Sequence, residues 1–193
     1  AIARELRERL VAADDSLVAG AKGELEASRG ALPVVEQLVE GEAQIRAAKE
    51  WTSLRARRRD AETRDADLPV DLRAELRSYQ LDGFRWLARL AAWGDGAVLA
   101  DDMGLGKTIQ TLALLLHRAE EGPALVVAPT TVAPNWIAEA ARFAPTLRFT
   151  LYRGAGRRES LAALGKREVL VASYEIVTRD AEALAAVPFA TLV

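Results

Sequence analysis

One segment constrains this chain more than any other: Ala97-Val98-Leu99-Ala100-Asp101-Asp102-Met103-Gly104-Leu105-Gly106-Lys107-Thr108. A short apolar run enters a turn carrying two glycines, and Lys107-Thr108 opens a helical pattern that continues to about Arg118. Strand, glycine loop and helix in that order build a cradle for phosphate. Gly104 and Gly106 permit backbone angles closed to other residues and let a ligand come close. The loop's N–H groups and the positive end of the helix dipole then face the anion. Lys107 is placed to bring its ammonium to the β and γ phosphates, and Thr108 to bring a hydroxyl to a magnesium ion. Asp102, Met103, Gly104, Leu105 and Gly106 are the backbone positions expected to line the cradle, so a nucleotide with Mg2+ is the expected ligand. The segment departs from the strict phosphate-loop pattern at Asp101, which stands where the first glycine belongs. Asp101 and Asp102 read as loop-shaping, hydrogen-bonding residues; a metal-binding carboxylate pair is the other reading.

The rest of the C-terminal part has the rhythm such a loop requires. Ala124–Ala128, Leu147–Tyr152, Val169–Ala172 and Phe189–Val193 are short apolar runs separated by helical stretches, one of which holds Trp136 and Ile137. With Ala97–Ala100 they predict five strands of a parallel sheet covered on both faces. Upstream, Leu72, Leu76, Tyr79, Phe84, Trp86, Leu87 and Leu90 predict helical segments closing at Gly94.

Residues 1 to about 60 are rich in Ala, Glu and Arg and read as helical. Val35, Leu38, Ile45, Ala48, Trp51 and Leu54 recur at steps of three and seven, and Pro33 suits that helix's first turn. Gly20, Gly23 and Gly30 read as punctuation between earlier helices. Arg55 and Arg57–Arg59 read as a solvated helix end, with a phosphate-contacting patch as the alternative. The charged stretch Asp60–Val70 reads as a linker. The expected division is a helical segment and linker over 1–67 and an α/β lobe over 68–193.

Composition removes several classes. The 193 residues contain no cysteine and a single histidine, His117, so disulfides, thiolate zinc sites and histidine-built metal centres are excluded. The net charge of −2 does not describe a strongly basic nucleic-acid module. No apolar run approaches membrane-spanning length, and Arg4, Glu5, Arg7, Glu8 and Arg9 interrupt the place of a signal peptide. Abundant alanine and the preference for arginine over lysine suggest a GC-rich bacterial genome. The start at Ala1 and the end within an apolar run suggest a piece of a longer protein.

Several segments, in order, resemble the Swi/Snf-type ATPases of helicase superfamily 2, over roughly Leu68 to Val193. Leu76-Arg77-Ser78-Tyr79-Gln80-Leu81-Asp82-Gly83-Phe84-Arg85-Trp86-Leu87 is similar to the family's segment in which a glutamine reads adenine. Leu99 to Gln110 is similar to its motif I, where an aspartate at position 101 is expected. Val126 to Trp136 is similar to motif Ia, and Val171-Ala172-Ser173-Tyr174-Glu175 to the strand-end segment that follows it.

The resemblance implies a RecA-like P-loop lobe in which Gln80 reads adenine, an edge its amide suits because it donates and accepts at once. Thr130 and Thr131 lie where the family approaches the DNA backbone, with ordinary helix capping as the alternative. Ser173 and Tyr174 are further DNA-facing candidates. Trp136 reads as a packing anchor and His117 as a residue without a role. Arg153, Arg157 and Arg158 read as a solvated loop, with phosphate contact as the sharper option. The implied whole protein is a double-stranded-DNA translocase that displaces or remodels DNA-bound proteins, RNA polymerase among the candidates. It would work in a bacterial cytoplasm at the nucleoid, or in a nucleus if eukaryotic. Its acidic motif II box and second lobe are expected beyond Val193, so this piece alone is expected to bind ATP weakly without useful turnover. A strand-separating helicase and a non-hydrolysing nucleotide-gated interaction module are the rival readings.

Overall fold

The computed structural model describes residues 65–94 and 96–193, together with Leu17–Ala19, Leu25–Ala27, Val35 and positions 52, 53, 55, 56 and 58–60. The chain divides into two units, residues 1–65 with 89–97 and residues 66–88 with 98–193.

In the first unit, strands β1 (Leu17–Ala19) and β2 (Leu25–Ala27) pair antiparallel, with Leu17 opposite Ala27. This corrects the helical reading of that stretch. The sequence between the strands carries Gly20 and Gly23, a residue type that serves a hairpin connection as readily as a helix break. Val35 is helical and buried, and positions 52, 53, 55, 56 and 58–60 are helical, as expected. Pro33, Leu38, Ile45, Ala48, Trp51, Leu54 and Arg57 lie outside the described residues. The Arg58 guanidinium stacks 4.9 Å from the centre of the buried Trp93 ring, so this arginine packs on an aromatic face.

The second unit is built on a four-stranded parallel sheet. Its strands are β3 (Ala124–Val127), β4 (Arg148–Leu151), β5 (Glu168–Ala172) and β6 (Thr191–Leu192), in the spatial order β4-β5-β3-β6. Parallel neighbours need crossovers. Helices α1 (Ser78–Trp93) and α2 (Lys107–His117) precede β3, and α3 (Ala133–Phe143) joins β3 to β4. A 3-10 segment (Arg157–Ala163) joins β4 to β5, and α4 (Tyr174–Arg179) and α5 (Ala181–Ala185) join β5 to β6. The central strands β3 and β5 are buried almost throughout, as apolar runs covered on both faces should be. The edge strand β4 alternates exposed and half-buried residues instead. Leu125, Tyr152, Leu170, Ala172 and Leu184 form one core cluster, and the α2 run Leu112–Leu116 is buried with Phe84 and Leu87 of α1.

Two expectations change here. Ala97–Ala100 is not a strand: it has no ladder partner among the described residues, and Val98 is 83% exposed. An apolar run becomes a strand only where a neighbour supplies its hydrogen bonds. The upstream helix begins at Ser78 rather than near Leu72. Leu72 is buried all the same, held in a turn by its N–H bond to the Pro69 carbonyl at 3.0 Å.

Helix α2 is anchored at its far end. Arg118 donates from Nε to Thr191 Oγ1 at 2.9 Å and from Nη2 to the Ala190 carbonyl at 2.8 Å, where β6 begins. The Arg167 N–H, just before β5, donates to the Ala119 carbonyl at 2.9 Å. Arg167 takes a φ of 64°, a region costly for a residue with a Cβ. Its guanidinium holds it there through Glu120 at 3.0 Å, Thr146 Oγ1 at 2.8 Å and Asp71. The end of α2 thus sits beside the beginnings of β5 and β6. A helix of this length rises about 16 Å, close to the height of the strands.

Candidate nucleotide site

The loop before α2 takes the backbone shape its glycines permit. Gly104 has φ 86° and Gly106, the residue capping α2, has φ 82°. A Cβ at Gly104 would meet nothing within 4 Å, so its outer face is open. Lys107 is the first residue of α2 and Thr108 the second. The Lys107 ammonium donates to the carbonyls of Asp101 at 2.6 Å and Asp102 at 2.9 Å, folding the side chain over the loop. Met103 is 96% exposed and Leu105 is partly so.

Gln80 lies against this loop, on the first turn of α1. Its Oε1 accepts the Arg77 N–H at 3.0 Å, the back-reaching half of a capping box. Its Nε2 donates to the Leu105 carbonyl at 3.0 Å. A Cβ at Gly106 would fall 2.4 Å from that nitrogen, so the loop glycine makes the seat in which the Gln80 amide rests.

A second seat faces the other way, and sequence reasoning missed it. Gln110, on the second turn of α2, is fully buried. Its Nε2 donates to Asp101 Oδ2 at 3.2 Å and to the Gly106 carbonyl at 3.4 Å. A Cβ at Gly83 would fall 1.9 Å from Gln110 Oε1, so α1 closes on α2 only because residue 83 has no side chain. The sequence signal was present: glycine inside a helical pattern marks a close approach. We expect Gly83→Ala to destabilise the fold by about 1–3 kcal/mol through overpacking. Urea unfolding measures this, and wild-type stability in the variant would mean that Gln110 has room to move.

The Asp101 carboxylate is a hydrogen-bond partner of Gln110, which agrees with the loop-shaping reading. Among the described residues no group of three or more His, Asp or Glu is placed to hold a metal. Thr108, in the first turn of α2, is the residue whose hydroxyl would serve a magnesium ion bound here. The open face at Gly104, the positive-φ glycines and the lysine at the helix N-terminus are a donor set that fits a polyphosphate.

The DNA candidates stand together at one sheet edge. Val127 of β3 pairs with Ala172 of β5, so the chain leaves these adjacent strands in register, toward Thr130 and Thr131 on one and Ser173 and Tyr174 on the other. Thr130 and Thr131 are exposed, and neither caps α3, whose N-cap is Val132. Ser173 precedes α4 without a side-chain capping bond, and Tyr174 is 62% exposed. Trp136 is half-buried on α3. His117 packs edge-on against Phe84, with ring centres 5.8 Å apart.

The arginine loop departs from its two readings at Arg157 and Arg158. Arg153 is exposed, but Arg157 and Arg158 are turned onto the buried carboxylate of Asp180. Arg157 reaches it through Nε at 2.6 Å and Nη2 at 3.1 Å, Arg158 through Nε at 3.0 Å and Nη2 at 2.5 Å, and the Tyr152 hydroxyl donates at 3.1 Å. With both carboxylate oxygens accepting from guanidiniums, the cost of holding this acid out of water is offset.

Parallel sheet, glycine loop at a helix N-terminus, and basic and hydroxyl side chains in that helix's first turn together define an α/β lobe of the P-loop, RecA-like class. Residues 79–193 match the SNF2-related domain family, and the chain belongs to it. It is 44% identical over 115 residues to the probable ATP-dependent DNA helicase CHR12 of Arabidopsis thaliana, covering 55% of this chain and 10% of that protein. It is 41% identical over 131 residues to the ISWI chromatin-remodeling complex ATPase CHR11 of the same plant, covering 63% of this chain and 12% of the relative. It also resembles the solved Sulfolobus solfataricus SWI2/SNF2 ATPase core in complex with dsDNA, with 34% identity and a TM-score of 0.59, over 67% of this chain and 27% of that one. The chain thus spans about a tenth of the length of the curated relatives it matches. These relatives lend no support to the bacterial origin expected from composition, because alanine and arginine usage reports on the base composition of a gene rather than on its lineage. No helix among the described residues is long and apolar enough to cross a membrane.

Proposed function

We propose that this chain is the nucleotide-binding lobe of an ATP-driven motor that tracks along double-stranded DNA and remodels or displaces proteins bound to it. One observation carries the reading: in a domain of the SNF2-related family, the glutamine expected to read the base is seated on the glycine of the phosphate loop. ATP entering this site takes the place of internal partners. Lys107 exchanges the carbonyls of Asp101 and Asp102 for the β and γ phosphates, while the N–H groups from Met103 to Lys107 and the N-terminus of α2 close around them. Gln80 turns its amide from Leu105 to the adenine edge. Thr108 offers its hydroxyl to magnesium, whose charge neutralises the phosphate oxygens when it is bound. Thr130, Thr131, Ser173 and Tyr174 touch backbone phosphates of the duplex, contacts that position the lobe without reading sequence. A nuclear location follows from this reading for a protein working on chromatin, as the name of the CHR11 relative describes that protein.

The test is ATP hydrolysis by the full-length protein with and without duplex DNA, beside a strand-displacement assay. Severalfold stimulation by duplex, with no strands separated, is expected. Hydrolysis indifferent to DNA would favour a nucleotide-gated module, and separated strands would favour a helicase.

A further inference from the structure

We propose that Gln110 is a positioning residue for the phosphate loop, which it holds in shape for a nucleoside triphosphate through the Asp101 carboxylate; this rests on the ATP reading above. One buried amide reaches both sides of the turn. Nε2 donates to Asp101, where the turn begins, and to the Gly106 carbonyl, where it ends. The same group leaves Oε1 buried without a partner, facing α1 at Gly83. An unmet buried acceptor is a cost. A leucine would fill a similar volume without that cost, so what the amide adds is its pair of N–H donors on the loop. The loop's other side-chain anchors must leave when ATP enters. Lys107 holds the carbonyls of Asp101 and Asp102, and Gln80 holds that of Leu105. Gln110 is different: it lies beneath the loop, fully buried, and keeps its bonds while Lys107 and Gln80 change theirs. It therefore preserves the N–H array during the exchange, so that ATP does not have to order the loop as it binds.

The test uses the full-length protein carrying Gln110→Leu, Asp101→Ala, both together, or Lys107→Ala as a reference. ATP affinity is read by calorimetry, duplex affinity by fluorescence anisotropy, and Tm by thermal melting. Each single change is expected to weaken ATP binding about tenfold, and the double change about tenfold rather than a hundredfold, because both break one link. Duplex affinity should be unchanged, and Tm should be unchanged or higher in Gln110→Leu, a result that general loosening of the core would not give. Wild-type ATP affinity in Gln110→Leu beside a loss in Lys107→Ala would overturn the proposal and leave the ATP site standing. So would losses that multiply in the double variant. If the unaltered protein binds no ATP, the reading and the proposal fall together. If Gln110→Leu does not fold, Asp101→Ala decides, since Asp101 is only half-buried: weakened ATP binding at an unchanged Tm supports the link, and wild-type affinity overturns it.

Discussion

Replacing Lys107 with alanine is expected to lower DNA-stimulated ATP hydrolysis by the full-length protein by about 10²-fold or more, the scale on which one preorganised charge stabilises a transition state. ATP binding should weaken with it. Lys107 stands at the positive end of α2, and its ammonium is held within 2.9 Å of two loop carbonyls. It is therefore already over the turn and needs only a change of partner to reach a phosphate. The fold should survive the substitution, because the two bonds lost are at most half-buried and the carbonyls they release can be hydrated. Hydrolysis and calorimetric ATP binding, read beside an unchanged Tm, make the check. Lys107→Arg should not restore activity, since a planar guanidinium is wider and longer than the ammonium for which this turn is shaped. Full ATP binding in the alanine variant would remove Lys107 from the site.

The second large effect is structural. Asp180→Ala should lower Tm by about 10 °C or more, because it strands the largely buried Arg157 and a buried hydroxyl around an empty place. The carboxylate is fully buried and accepts from Arg157, Arg158 and Tyr152. Its position also joins α4 to α5, so the loss spreads to both short helices. The hydrogen bonds from Arg158 and then Arg157 hold the Asp180 carboxyl far below the ordinary carboxylate range. Burial, followed by the neighbouring carboxylate, pushes the Tyr152 hydroxyl up. The sign for Asp180 follows from a folded-state pKa below the unfolded one. Its contribution is complete above about pH 4, the unfolded carboxylate value, and is lost as pH falls from there toward the folded value. Thermal melts of the unaltered protein should therefore show no Asp180-linked loss between neutral pH and about pH 4. The gap between it and Asp180→Ala should narrow only in stronger acid. A Tm within about 2 °C of the original at pH 7 would show that the arginines find other partners.

The parts legible in the sequence were those with local causes. The runs at Ala124–Ala128 and Val169–Ala172 announced buried parallel strands because both of their faces are apolar. Lys107 to about Arg118 announced α2 because its periodicity and its glycine cap are written in neighbouring residues. The glycine loop and its lysine were legible for the same reason. What the sequence withheld depends on residues far apart in the chain. Ala97–Ala100 has the composition of a strand but lacks a partner. Leu17–Ala19 and Leu25–Ala27 are too short to show an alternating pattern over their helical composition. Asp180 looks like a surface acid at a helix end until Arg157 and Arg158, more than twenty positions away, fold over it. Gly83 and Gln110 each sit in a helical pattern that states nothing about the other, and their contact exists only once α1 and α2 are packed.

The anchoring of α2 at Arg118 gives the lobe leverage. The helix is a stiff rod clamped at its base to the start of β6, with Lys107 at its tip. A tilt of about 4° at the clamp swings the tip by about 1 Å over a rod of about 16 Å. A displacement of that size at reacting groups is enough to cost roughly 10² in rate. Arg118, a helix length away from the phosphate loop, is thus a point on which the position of the lysine depends.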